Sequence, residues 1–124
     1  MLNNNQKFGE KSESIASDYL SKKMGYKILQ KNYRTKIGEI DIIAKDGNTI
    51  VFIEVKARRS LFYGSSKYAV TFGKQKKISM VALYYLKTKK LSNAKARFDV
   101  VAINFSRKVP EIEIIKNAFD LAYG

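Results

Sequence analysis

Apolar residues recur along this chain with two different periods, and the alternation between them predicts its elements. Phe8, Ile15, Ala16, Tyr19, Leu20 and Met24 follow a helical repeat, and Gly25 is placed to end that helix. Residues 1–7 are polar and are expected to fray. Tyr26 to Tyr33 alternates as a strand. Gly38 to Ala57 then reads as two apolar strands joined at Asp46, Gly47 and Asn48, a strong hairpin signal. Thr71 is placed to cap a helix from Phe72 to Lys89, with Ile78, Val81, Ala82, Tyr85 and Leu86 on one stripe. Ala96 to Phe105 is a nearly continuous apolar strand, and Pro110 to Ile115 an edge strand opened by the single proline. Asn117 to Tyr123 is expected to form a short terminal helix. The order helix, three strands, helix, two strands predicts one domain over residues 1–124, of α/β (α+β) class, with a mixed five-stranded sheet and the long helices packed on it.

The hairpin carries charges where a buried strand should carry none. Glu39 and Asp41 share one face of its first strand, and Glu54 and Lys56 share one face of its second. With Gly47-Asn48 as the loop, Asp41 lies opposite Glu54 and Glu39 opposite Lys56. With Asp46-Gly47 as the loop, Glu39 lies opposite Glu54. Either register gathers the carboxylates and the lysine on one face. Like charges directly across a sheet are destabilising, whereas a divalent cation would make the same arrangement favourable. An oxygen-only donor set selects Mg²⁺ or Mn²⁺, and Lys56 could hold a phosphate or a water beside it. The plainer alternative is a cross-strand ion pair between Glu39 and Lys56, with Asp41 beginning a turn.

Composition narrows the chemistry. The chain has 124 residues with no cysteine and no histidine, so disulfides, thiolate nucleophiles and imidazole bases are closed to it. A formal charge of +13, from 24 Lys and Arg against 11 Asp and Glu, is the electrostatic footprint of a nucleic-acid binder. No long apolar span, amphipathic anchor or signal-peptide core is visible, so a cytoplasmic protein without membrane contact is expected. The basic residues nearest the hairpin are Arg34, Arg58 and Arg59, with Lys74, Lys76 and Lys77 in the first turn of the second long helix. Lysines there oppose the helix dipole but suit a neighbouring phosphate. The stretch Ser60 to Lys67, with Phe62 and Tyr63, is suited equally to gripping a nucleic-acid backbone and to capping the core. Asp99 lies on an apolar strand, but Arg97 on the same face offers it an ion pair.

Asp41 followed by Glu54, Val55 and Lys56 across a hairpin resembles the D...ExK signature of the restriction-endonuclease-like nucleases. A longer string is more specific: Gly9 with Glu13 to Ala16 and Tyr19-Leu20, Gly25-Tyr26, Asn32 to Arg34, Gly38 to Asp41, Phe52 to Arg58, Ala69 to Thr71, Lys74-Gln75 and Arg97 to Val101. Together these resemble the YraN family, small bacterial proteins described as predicted endonucleases and similar to archaeal Holliday junction resolvases. The resemblance covers nearly the whole chain.

It implies a restriction-endonuclease-like fold and a Mg²⁺- or Mn²⁺-dependent DNA endonuclease. Asp41 and Glu54 would hold the metal. Glu13, at the border of the first helix's apolar stripe, would complete the site directly or through water. Lys56 would orient or help deprotonate the attacking water, Glu39 would orient Lys56 or hold a second metal, and Gln75 would support the site from its helix. Arg34, Arg58, Arg59, Lys74, Lys76 and Lys77 would contact phosphates without reading sequence, so structure-selective cleavage, with branched DNA among the substrates, is expected. A homodimer is implied by the resemblance alone. Two rivals remain: a non-catalytic nucleic-acid-binding module with the same fold, and a basic assembly protein.

Overall fold

A computed structural model describes residues 2–59 and 70–121. Helix α1 (Asn4–Lys22) is followed by strands β1 (Lys27–Arg34), β2 (Glu39–Asp46) and β3 (Thr49–Arg58). Helix α2 (Phe72–Thr88) and strands β4 (Lys95–Asn104) and β5 (Glu111–Phe119) complete the order. The strands form one sheet in the order β1-β2-β3-β4-β5, antiparallel throughout except for the parallel pair β3 and β4. The chain crosses from β3 to β4 through α2, as a parallel pair requires. This is the mixed five-stranded α+β sheet that the sequence predicts.

The helices cover opposite faces of the sheet. Ile43, Ile50, Phe52, Phe98 and Val100 pack with Ile78, Val81, Ala82, Tyr85 and Leu86 of α2. Ile42, Ala44, Val51, Ile53, Val101 and Ile103 pack with Ala16 and Leu20 of α1. β2, β3 and β4 are buried on both sides, which explains their near-continuous apolar runs. No helix among the described residues is long and apolar enough to cross a membrane.

Two ends differ from expectation. Residues 4–7, expected to fray, are helical: Asn3 caps α1, its side chain accepting from the Gln6 N–H at 2.8 Å while the Gln6 side chain accepts from the Asn3 N–H at 2.9 Å. This reciprocal pairing satisfies two end groups and starts the helix at Asn4. At the other end, β5 runs on to Phe119 where a helix was expected from Asn117. Asn117 takes a left-handed φ of +52°, the register against β4 shifts there, and Phe119 stacks on Phe98 at 4.8 Å. The strand gains that aromatic contact, and tertiary packing overrides the helical periodicity of a short apolar run. The remainder of the expected helix, from Ala122, and the stretch Ser60 to Lys67 lie outside the described residues.

Candidate active site

The hairpin settles its own register. Gly47 adopts φ +59° and Asp46 pairs with Thr49, so Gly47-Asn48 is the loop. Glycine first in a two-residue loop suits the twist of an antiparallel pair. Regular pairing continues to Ile42 and Ile53 and then stops. Beyond that point the Asp41 carboxylate takes over from the ladder, its Oδ2 accepting from the Val55 N–H at 2.8 Å. Ile42 packs toward α1 and Ile40 toward α2, so strict alternation also breaks at Asp41.

At this splayed end Asp41 and Glu54 lie close enough to share a hydrogen bond between their carboxyl groups. Burial, then that hydrogen bond and the charge of Glu54, push the Asp41 carboxyl up to about 8. A group so shifted holds a proton at neutral pH, which relieves its repulsion with Glu54. Glu54, with a side chain only 10 % exposed, receives the ammonium of Lys74 from α2 at 3.2 Å.

An open cleft of about 310 Å³ runs past these residues, lined by Phe8, Gly9, Ser12 and Glu13 of α1, Asp41, Val55 to Arg58 with Glu54 on β3, and Lys74. Glu13 is thus brought to the same cleft, where burial and the nearby Asp41 charge raise its carboxyl above the ordinary range while a side-chain hydrogen bond with Asn32 opposes the rise. Lys56 is half-buried, and burial together with Lys74 lowers its ammonium from the ordinary range. Four of the six expected catalytic residues, Glu13, Asp41, Glu54 and Lys56, therefore line one cleft, joined by Arg58 and Lys74 of the expected phosphate contacts.

Others go elsewhere. Glu39 does not meet Lys56: with the ladder ended, it turns to Arg34 at 2.9 Å in an exposed pair. That pair also occupies Arg34, expected at phosphate. Gln75 faces back along its own helix start, its Nε2 donating to the Val70 carbonyl at 2.8 Å. Arg59 lies over the Phe8 ring at 3.9 Å, on the α1 rim of the cleft, and Arg58 lines the cleft itself. Lys77 borders a smaller hollow shared by Glu39, Asp41, Glu54 and Lys74, and Lys76 lies over Phe72.

Two participants escaped the sequence. Lys74 stood among the phosphate-binding lysines, with nothing in the pattern to pair it with Glu54. Asn32 stood in the string that carries the family resemblance but with no role, and it adopts φ +53° in β1, a left-handed backbone that asparagine tolerates.

The donor set suits a hard cation. Magnesium is commonly held by one or two carboxylates with water and phosphate oxygens supplying the rest, and Asp41 with Glu54 meets that need. Among the described residues no group of three or more potential ligands converges closely enough to hold an ion unaided, so Glu13 belongs to the surroundings of the pair.

A family model described as "Uncharacterised protein family UPF0102" matches residues 12–103, which include Glu13, Asp41, Glu54 and Lys56. A UPF0102 protein of Syntrophus aciditrophicus is 51 % identical over 99 % of this chain and 96 % of its own length. Similar proteins from Geobacter metallireducens (52 % identical, covering 96 % and 97 %) and Caldicellulosiruptor saccharolyticus (49 %, covering 94 % and 99 %) bear the same description.

Proposed function

The chain belongs to the UPF0102 family, the YraN family that its sequence resembles, and we propose that it is a metal-dependent DNA endonuclease acting by hydrolysis of phosphodiester bonds. One observation carries the proposal: a partly buried pair of carboxylates, Asp41 and Glu54, at the parted end of a hairpin, with Lys56 following on the same strand and lining the same cleft. A buried like-charge pair costs stability in a scaffold, and perturbed carboxylates in a cleft mark a functional site.

Asp41 and Glu54 would hold Mg²⁺ or Mn²⁺, which when bound supplies Lewis-acid stabilisation of charge on the phosphate and eases deprotonation of a water. The protein's own groups do the rest. The Val55 N–H holds Oδ2 of Asp41 and so fixes the orientation of its carboxyl group beside Glu54. Lys56, with its lowered proton affinity, stands beside the pair to orient the attacking water and accept or return its proton. Water oxygen attacks phosphorus, and the P–O bond to the leaving nucleotide breaks.

Arg58 on the strand, Arg59 on the α1 rim and Lys74 with Lys77 on the α2 side bring positive charge to the phosphates. None of these contacts distinguishes one base from another, which favours recognition of DNA shape over sequence. The rival is a nucleic-acid-binding module with the same fold that does not turn over.

Cleavage of labelled duplex, single-stranded, flap and four-way DNA in Mg²⁺ or Mn²⁺ separates the two. Products from the wild type that vanish in Glu54→Ala are expected. Tight binding without products, unchanged by the substitution and by the metal, would establish the binding module.

A further inference from the structure

Lys74 is built into the site in a way that phosphate binding alone does not require. It occupies the first turn of α2, where its backbone N–H donates to the Thr71 cap at 3.2 Å and where the helix dipole disfavours a cation. Its ammonium nevertheless reaches inward to Glu54 Oε2 at 3.2 Å, onto a carboxylate with only 10 % of its side chain exposed, while Lys74 itself remains half exposed. It lines both the main cleft and the smaller hollow beside Glu39 and Lys77. One flexible side chain is therefore anchored at its base, paired at its tip, and has open space on two sides.

Resting on the nuclease proposal, we infer that Lys74 is a positioning residue that exchanges partners: a divalent cation taken up by Glu54 displaces its ammonium, which then receives a DNA phosphate. The two uses of Glu54 compete, because a cation at that carboxylate repels an ammonium 3.2 Å away. Once displaced, Lys74 faces the repulsion of both the ion and the helix dipole, and because the neighbouring Glu39 is already paired with Arg34, a substrate phosphate supplies the compensating charge. The exchange makes cation and DNA binding cooperative. By linkage the effect is reciprocal, with phosphate drawing Lys74 off Glu54 and so strengthening the cation site. The four-carbon stem allows the swing without disturbing the helix.

The test uses the full chain and reads binding, not turnover. Mn²⁺ affinity is measured by electron paramagnetic resonance without DNA, and affinity for a fluorescent DNA duplex is measured with and without Ca²⁺. Lys74→Gln should bind Mn²⁺ about fivefold more tightly than the wild type, bind DNA more weakly, and lose most of the Ca²⁺-dependent gain in DNA affinity. Lys74→Arg should do the opposite at the metal, since a guanidinium grips a carboxylate more firmly, and should weaken Mn²⁺ binding. Lys77→Gln should weaken DNA binding with little change in Mn²⁺ affinity. Circular dichroism melts establish that each variant folds, and Lys74→Arg keeps the test decisive if Lys74→Gln does not. Unchanged or weaker Mn²⁺ binding by Lys74→Gln, or an equal gain in Lys77→Gln, overturns the exchange while leaving the nuclease standing. A wild type that binds no Mn²⁺ overturns the metal site and the exchange together.

Discussion

The sheet buries charge at two places, and they are built on opposite plans. On β4, Asp99 is 1 % exposed, yet both its oxygens receive Arg97 Nε at 3.1 Å and one also accepts from the Asn117 N–H at 3.0 Å. Arg97 in turn reaches the Tyr26 hydroxyl at 2.7 Å and Asp46 at 2.9 Å. Every group there faces a complementary one. At the parted end of the hairpin, Asp41 faces a second carboxylate and relieves the conflict by holding a proton. The first cluster is satisfied within the sheet; the second sets two carboxylates together and draws the Lys74 ammonium onto Glu54 from α2. Burial alone does not separate the two places; the charge conflict does.

Breaking each cluster should therefore have opposite consequences. Glu54→Gln should reduce cleavage by about a thousandfold or more, equivalent to roughly 4 kcal/mol of transition-state stabilisation, with thermal stability kept or raised. Asp99→Ala should do the reverse and cost about 1 to 3 kcal/mol of stability by removing a buried acceptor from Arg97 and from the Asn117 N–H, a loss that denaturant unfolding would register.

The pH profile of stability sharpens the contrast. Asp41 holds its proton up to about pH 8 in the fold but would release it near 3.8 when unfolded. Between those values the folded chain binds the extra proton, so metal-free stability should fall as pH rises through this window and level off above it. Asp41→Asn should flatten that slope, and melts in chelator across pH 5 to 9 would show whether it does.

Lys56→Gln should lower the cleavage rate about a hundredfold while DNA affinity shifts little, which single-turnover kinetics would separate. Glu39→Gln should matter least. Its exposed pair with Arg34 is worth less than about 1 kcal/mol, and cleavage should stay within a few-fold of the wild type.

Much of this was legible in the residues. The apolar runs located every strand, and Thr71 and Gly47 marked a cap and a turn, because those positions have strong local physical requirements. Asp41, Glu54 and Lys56 stood out as charges amid isoleucine and valine, and Glu13 as a carboxylate at the edge of a stripe. What alternation could not show is where the ladder stops. Regular pairing would set Glu39 against Lys56, but Asp41 takes the Val55 N–H with its side chain and the strands part. Gln75 and Lys74 share a helix turn, and only packing decides that one turns back to Val70 while the other reaches Glu54. The extension of β5 past Asn117 likewise depends on Phe98, distant in sequence.

The claim most exposed to test is that the Asp41–Glu54 pair exchanges its proton for a cation. Isothermal titration of the protein with Mn²⁺ at pH 7, in two buffers of different ionisation enthalpy, counts the protons released on binding. The wild type should release about one proton per ion bound, and Asp41→Asn should bind more weakly and release almost none. No uptake of Mn²⁺, or uptake of equal strength and without proton release in both proteins, would contradict the account.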